Sequence, residues 1–324
     1  MQAIEIKKTG GPEVLELKDI KLEDPKDGEV LIKHTAIGLN YIDTYHRSGL
    51  YPLPLPSGIG LEAAGIIEKT GKNVGDFKVG DKVAYAAAPI GSYSSHRIYP
   101  VNSLVKVPDG IDLEVVATLM TKGLTTFYLL HKTYAVKSGQ TILFHAAAGG
   151  VGQIFCQWAK SLGCSVIGTV GSDEKIDIAK KFGCDHVINY SKDDFQKKVM
   201  EITNEEGLPV VYDGVGKVTM EKSLGCLKMR GTFVSFGNAS GKLDPLDVGK
   251  LIAPKGLFLT RPSIAHYTAT RKELDEAANK LFEMVKQEKV KIDIFKKYSL
   301  NDVINAHRDL EARKIIGPAI IVPN

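Results

Sequence analysis

Two short stretches carry residue types whose spacing suits phosphate chemistry. In LFHAAAGGVG, residues 143–152, small side chains line a turn between an apolar run and an amphipathic one. The fingerprint G-x-G-x-x-G is altered: Ala147 stands where its first glycine is expected, followed by Gly149 and Gly152. Such a turn needs small side chains because the N–H groups at a helix start must approach an anion closely, and the helix dipole reinforces them. Ala146, Ala147 and Ala148 are small, and Gly149, Gly150 and Gly152 permit a tight backbone before the helix that Val151 enters. The stretch reads as the pyrophosphate turn of a dinucleotide site.

The second stretch, TVGSDEK at 169–175, follows the next strand. An acidic residue at the end of that strand would hold the ribose hydroxyls and repel a 2′-phosphate. Gly171 takes the acid's place, followed by Ser172 and then Lys175 in the first helical turn. Losing the carboxylate and gaining a cation favours a phosphorylated ribose, with Tyr190 at the end of the third strand alongside. Asp173 and Glu174 read as helix-start residues that complement the dipole.

Other chemistries lack their residues. No Ser-His-Asp spacing, paired acid/base carboxylates or Walker loop occurs. The four cysteines, Cys156, Cys164, Cys184 and Cys226, form no C-x-x-C pair and none precedes residue 156, so a disulfide framework is not expected and a reduced, cytoplasmic protein is. A net charge of +4 with scattered lysines gives nucleic acid no evident footing. The N-terminus lacks the pattern of a signal peptide, and no stretch approaches 18 consecutive apolar residues, so no membrane span is expected.

The elements that must position these residues follow from length and periodicity. With 324 residues, 44% hydrophobic and 25% charged, the chain suits two globular domains. Up to about residue 120, short strand-like runs such as EVLIKHTAIG (29–38) and AAGIIEKTG (63–71) alternate with Gly, Pro and Asp turns, predicting a mostly-β, barrel-like sheet. From 141, strands at 141–146, 165–170, 185–190, 210–215 and 231–237 alternate with helices, and LFLTRP (257–262) supplies a sixth strand. Val151, Ile154, Phe155, Trp158, Ala159 and Leu162 form one helical stripe closed by Gly163. The class is α/β: a doubly wound, six-stranded parallel Rossmann sheet inserted in a mostly-β domain. The expected boundaries are 1–122 with 263–324 for the first domain and 123–262 for the second.

By these motifs the chain resembles the zinc-free medium-chain dehydrogenase/reductases, within them the NADPH-dependent quinone oxidoreductases of the zeta-crystallin-like branch. The resemblance spans essentially the whole chain, through GGPEVL (10–15), GLNYIDTYHRSGLYP (38–52), GLEAAG (60–65), KGLTTFYLL (122–130), HAAAGGVG (145–152), GTVGSDEK (168–175), INY (188–190), SFGNASG (235–241) and TRPS (260–263). It implies a GroES-like catalytic domain, NADPH as cofactor and transfer of reducing equivalents to a quinone or another small electrophile. The zinc alcohol dehydrogenases are similar in architecture. Here Asn40 or Tyr41 stands near their first ligand position and Leu61 replaces the histidine of G-H-E. Leucine has no donor atom, so zinc-independent chemistry is expected. A quinone accepts hydride readily, which leaves the protein to orient nicotinamide and substrate.

The resemblance also assigns residues. Asn40, Tyr41, Ile42, Asp43 and Thr44 would line the nicotinamide side, with Asn40 and Tyr45 as the catalytic pair. Asn40 would hydrogen-bond cofactor or quinone oxygen, and Tyr45 would donate to or stack on the ring. Tyr41 and Tyr45, four apart, share a helical face, so simple packing is the competing reading for each. Tyr128, Val215, Phe236, Gly237, Asn238, Arg261 and Ser263 would line the cofactor groove, and Arg313, read in the last helix, would contact a cofactor phosphate. Asp213 reads as a backbone orienter. GLFLTRP (256–262) reads as an apolar edge strand, implying a homodimer. Two other functions stay open: reduction of activated C=C bonds in enals or enones, and a structural or RNA-binding role, which lacks an aromatic–basic stripe.

Overall fold

Period-2 alternation in the first third builds strands with one buried face. In the computed structural model, which describes residues 1–323, these are β1 (Gln2–Ile6), β2 (Glu16–Asp19), β3 (Glu29–Leu39), β4 (Ser57–Gly58), β5 (Glu62–Thr70), β6 (Lys82–Ala86), β7 (His96–Pro100) and β8 (Val105–Lys106), with helix α1 (Tyr41–Ser48) between β3 and β4. Helix α2 (Leu113–Tyr128) follows. The chain then alternates through β9 (Thr141–His145), α3 (Gly150–Ser161), β10 (Ser165–Val170), α4 (Ile176–Lys181), β11 (His186–Asn189), α5 (Phe195–Ile202), β12 (Leu208–Asp213), α6 (Met220–Gly225), β13 (Leu227–Ser235), α7 (Val248–Leu251), β14 (Phe258–Thr260) and α8 (Ile264–Tyr267). It ends with α9 (Arg271–Lys286), β15 (Lys296–Ser299), α10 (Val303–Glu311) and β16 (Ala319–Val322).

The chain forms two compact units. The first comprises Met1–Leu124, Thr268–Lys286 and the segment from Ile292 onward; the second comprises Thr125–Tyr267 with Gln287–Lys291. In the first unit a seven-stranded sheet runs β15-β16-β3-β5-β6-β8, with β7 also paired to β3, beside a three-stranded sheet β2-β1-β4. The long β3 is its spine: β5 and β7 pair with it antiparallel, and so does β16 from the far end of the sequence. Val30, Ile32, Ile37, Val83, Tyr93, Leu300 and Ile321 share its core. Each such apolar side chain contributes roughly 1.5–3 kcal/mol by leaving water.

The second unit is the expected doubly wound sheet, in the order β11-β10-β9-β12-β13-β14 with every pairing parallel. The order reverses direction between β9 and β12, so the crevice beyond their carboxyl ends is where such sheets take ligands. Ile154, Phe155, Trp158 and Ala159 bury one stripe of α3, and the chain leaves that helix through Gly163 at φ +81°.

Two expectations need adjustment. A strand is expected at 231–237, yet β13 already begins at Leu227, directly after α6 stops at Gly225. The β12–β13 pairing then shifts register between Leu208 and Val210, absorbing Arg230 at φ +57°. The stretch Leu113–Thr133 is also long and apolar enough, by length and composition, to cross a membrane, although none was expected; 83% of its apolar window is buried inside the protein, as in a core helix.

Candidate functional site

The expected residues fall into two groups, one in each unit. In the first unit they sit at the end of β3 and in α1. Asn40 caps α1 in extended backbone (φ −130°), and Asp43, three residues on, accepts a hydrogen bond from the Asn40 amide N–H at 2.9 Å. This closes the helix start, and Gly49 at φ +83° closes its end. Asp43 faces inward. Its Oδ2 also accepts from the Tyr93 hydroxyl at 2.9 Å, while Oδ1 has no hydrogen-bond partner among the described residues. Burial, followed by the nearby Glu62 charge, pushes its carboxyl up to about 7 against the pull of those hydrogen bonds and of Lys122. Thr44 turns its hydroxyl back to the Tyr41 carbonyl at 2.7 Å. Ile42 is half-buried.

Beyond Asp43 the buried chain continues. Tyr93 Oη lies 3.1 Å from His307 Nε2, and Arg47 Nη1 lies 3.0 Å from His307 Nδ1. Because guanidinium only donates, Nδ1 accepts, and Nε2–H donates to Tyr93, which donates to Asp43. Burial and then the Arg47 charge hold His307 down to about 3, keeping it neutral. Arg47 ends the chain in an ion pair with Glu311 at 2.6 Å.

Tyr41 and Tyr45 do share a face. Their rings meet edge to face at 5.6 Å, and Tyr45 meets Tyr51 in the same way at 5.2 Å. Tyr51 extends this half-buried aromatic row; reading α1 alone omits it. Arg313 lies beyond the end of α10 at φ +58°, not within the last helix as expected. Its charge and that of Glu311 both reach Tyr41, whose hydroxyl is pushed up chiefly by burial.

Around Asn40 the structure adds two residues that were not singled out. Glu62 Oε2 accepts from Asn40 Nδ2 at 2.6 Å, and Lys122 Nζ donates to Asn40 Oδ1 at 2.7 Å. Space for Glu62 depends on Gly38, where a Cβ would stand 2.2 Å from its carboxylate and 2.3 Å from the Ala117 carbonyl.

In the second unit, in the turn after β9, Ala146 adopts the left-handed conformation (φ +58°), and Gly149 N–H donates to the Ala146 carbonyl at 2.9 Å. Gly149 caps α3, whose first turn from Gly150 through Val151 holds no acidic residue. A side chain at Gly152 would strike the Ala147 carbonyl at 2.4 Å. Ala148 is buried in the same turn. A helix start stripped of side chains and carboxylates fits a dinucleotide pyrophosphate.

At the end of β10, a Cβ on Gly171 would lie 3.0 Å from the Tyr190 hydroxyl. Ser172 donates to Glu174 at 3.1 Å, and Lys175 lies half-buried in the turn before α4. Asp173 is ion-paired to Lys192 and accepts from Asn189 at 2.7 Å, so the nearby carboxylate is neutralised by a cation that sequence reasoning missed. On the other side of the sheet, Asp213 accepts from the N–H groups of Val215 at 2.7 Å and Gly216 at 2.9 Å, orienting that turn. Phe236 packs on Phe144, Arg261 donates to the Gly237 carbonyl at 3.0 Å, and Tyr128 stacks on Tyr267 at 4.8 Å. Asn238 follows Gly237 in the loop after β13, and Ser263 immediately precedes α8.

A β domain interrupted by a doubly wound sheet with a glycine-rich first turn defines the medium-chain dehydrogenase/reductase class. Family models agree: residues 26–109 match the alcohol dehydrogenase GroES-like domain and residues 150–283 the zinc-binding dehydrogenase model. The chain is 48% identical to a quinone oxidoreductase of Pseudomonas aeruginosa, covering 97% of each chain. It is 44% identical to a 2-haloacrylate reductase of a Burkholderia species, covering 100% of this chain and 99% of the relative. The crystal structure of Escherichia coli quinone oxidoreductase complexed with NADPH superposes with a TM-score of 0.98 at 46% identity, covering all of both chains. The chain belongs to the quinone oxidoreductase family.

Zinc, which one family model names, does not fit these residues. Among the described residues no group of three His, Cys, Asp or Glu is placed to hold a metal. Asn40 Oδ1 instead accepts from an ammonium.

Proposed function

We propose that this chain is an NADPH-dependent quinone reductase that works without a metal. The observation that carries it is the full-length match to quinone oxidoreductases, one of them complexed with NADPH. NADPH when bound supplies the reducing equivalents. Gly150 and Val151 would hold its pyrophosphate through backbone N–H groups of α3's first turn, on the turn that Ala148 and Gly149 shape, and Ser172, Lys175 and Tyr190 its 2′-phosphate. Val215, Phe236, Gly237, Asn238, Arg261, Ser263 and Tyr128 would line the groove, with Arg313 as a further phosphate contact. In this reading the first unit is the catalytic domain and the second the cofactor domain. Asn40 and Tyr45 orient nicotinamide and substrate, and Tyr41, Ile42, Asp43 and Thr44 shape that end. The exposed Phe258 and Leu259 on edge strand β14 support a homodimer, and four free, buried cysteines support a cytoplasmic location.

A second reading, reduction of an activated C=C bond, is favoured by the 2-haloacrylate reductase relative. The test follows NADPH oxidation at 340 nm with 1,2-naphthoquinone, 1,4-benzoquinone, a short enal and 2-chloroacrylate. Higher kcat/KM for the quinones is expected. Turnover confined to the enal or the haloacrylate would install the second reading, and no turnover of any would overturn both.

A further inference from the structure

We propose that Lys122 and Glu62 are positioning residues that hold the Asn40 carboxamide in one orientation for the reaction proposed above, on whose assignment of Asn40 this inference rests. A primary amide can exchange its oxygen and nitrogen by a half-turn that leaves its shape unchanged, so only its partners decide which way it points. Here the partners leave no choice. An ammonium can only donate and a carboxylate can only accept, so Oδ1 faces Lys122 at 2.7 Å and Nδ2 faces Glu62 at 2.6 Å. The reversed amide would set N–H against ammonium and carbonyl against carboxylate.

The geometry distinguishes this clamp from an ordinary buried ion pair. Lys122 Nζ and Glu62 Oε2 stand 3.7 Å apart, whereas each makes a short charge-assisted bond to the amide between them. Each partner is itself held. Glu62 Oε1 accepts from the Thr121 N–H at 2.8 Å, and Lys122 also reaches the Leu39 carbonyl at 3.4 Å. Asn40's own backbone N–H is tied to Asp43. The end of β3, the start of β5 and the middle of α2 thus converge on one carboxamide. Burying two opposite charges rarely stabilises a fold by itself. Their cost is understandable if they fix a dipole. The amide's second N–H then has a set direction, as a donor to an oxygen gaining charge during reduction must have.

The test has two readouts. In the first, side-chain ¹⁵N–¹H resonances of Asn40, assigned by their loss in Asn40→Ala, are compared in the parent, Lys122→Met, Lys122→Arg and the charge-free pair Glu62→Gln with Lys122→Met. The proposal expects hydrogen-bond-shifted, exchange-protected amide protons in the parent, kept in Lys122→Arg and moved toward unstructured shifts with lost protection in the other two. The charge-free pair stands in if Lys122→Met alone does not fold. The second readout is a double-mutant cycle with NADPH and 1,2-naphthoquinone. Lys122→Met should lower kcat about tenfold with NADPH affinity by fluorescence within twofold, yet change kcat less than twofold in an Asn40→Ala background. Unchanged amide resonances in both Met-bearing variants, or losses that multiply across the cycle, would overturn the proposal. A parent that reduces no quinone would defeat the functional reading instead, while the resonances would still decide whether the clamp orients Asn40.

Discussion

Lys175 and Gly171 carry the clearest consequences for single residues. If Lys175 contacts the 2′-phosphate, Lys175→Ala should weaken NADPH about ten- to hundredfold and leave NADH nearly unchanged. Gly171→Asp should shrink or invert the preference, because it sets a carboxylate against the phosphate and offers the NADH ribose an acceptor. The new Cβ needs the Tyr190 hydroxyl, 3.0 Å away, to give slightly. Ratios of kcat/KM for both coenzymes in the parent and the two variants check this; an equal loss for both coenzymes with Lys175→Ala counts against it. Asp43 gives a stability prediction. Its folded carboxyl sits near 7 against an ordinary 3.8, so the native state holds a proton that the unfolded state gives up as pH rises through that window. Stability should therefore fall between about pH 4 and 7, by at most about 4 kcal/mol from this group. Asp43→Asn keeps an acceptor for Asn40 N–H and Tyr93 but loses this titration, so from pH 5 to 8.5 its denaturant midpoint should rise more than the parent's. The glycine turn and the missing acid at Gly171 were legible because their meaning is local to a strand–turn–helix. Lys122 was not, since its partner Asn40 lies 82 positions away and a lysine in an apolar helix pattern resembles a solvated interruption.

Among the elements, edge strand β14 is the most exposed to test. It spans three residues, pairs only with β13 in its sheet, and leaves Phe258 and Leu259 largely exposed. An unprotected apolar edge invites pairing with another copy. Leu259→Pro removes a backbone donor there and should convert a dimer to a monomer, read by light scattering at micromolar concentration; a parent already monomeric would refute the interface. The Rossmann elements were readable from the sequence because parallel strands buried on both faces give continuous apolar runs, as in TILFHA and SVIGTV. The start of β13 was not. LKMR carries no strand alternation, and what makes it a strand is the β12 pairing that begins at Leu208 and Leu227. The position of Arg313 failed similarly, because α10 ends without a glycine or proline to mark its stop.

At the scale of the whole molecule, acid should act on the first unit through two buried histidines. Burial is the main cause holding both His34 and His307 down to about 3 from 6.5, and both lie in that unit. Each stays neutral when folded and takes a proton when unfolded, so their contribution is full above about pH 6.5 and is lost as pH falls toward 3. Asp43 opposes them between about 7 and 4, while His46, His96 and the second unit's His145, each held down chiefly by burial, act with them. The denaturant midpoint should therefore decline from pH 7 to 4.5, with a flatter slope in His307→Gln; an unchanged slope would remove His307 from the account. The antiparallel pairing of β16 with β3, Ala319 opposite Leu39, has a consequence for the order in which the protein matures on the ribosome. Every residue of the second unit up to Tyr267 emerges before β16 does, so the sheet made first must wait, open at the Ile37–Leu39 end of its longest strand, while the sheet made later can already close. Synthesis and completion run in opposite orders here. A nascent chain arrested with residue 300 at the tunnel exit should therefore show protease-resistant 125–267 and a digestible N-terminal third, and release of the last residues should protect both together.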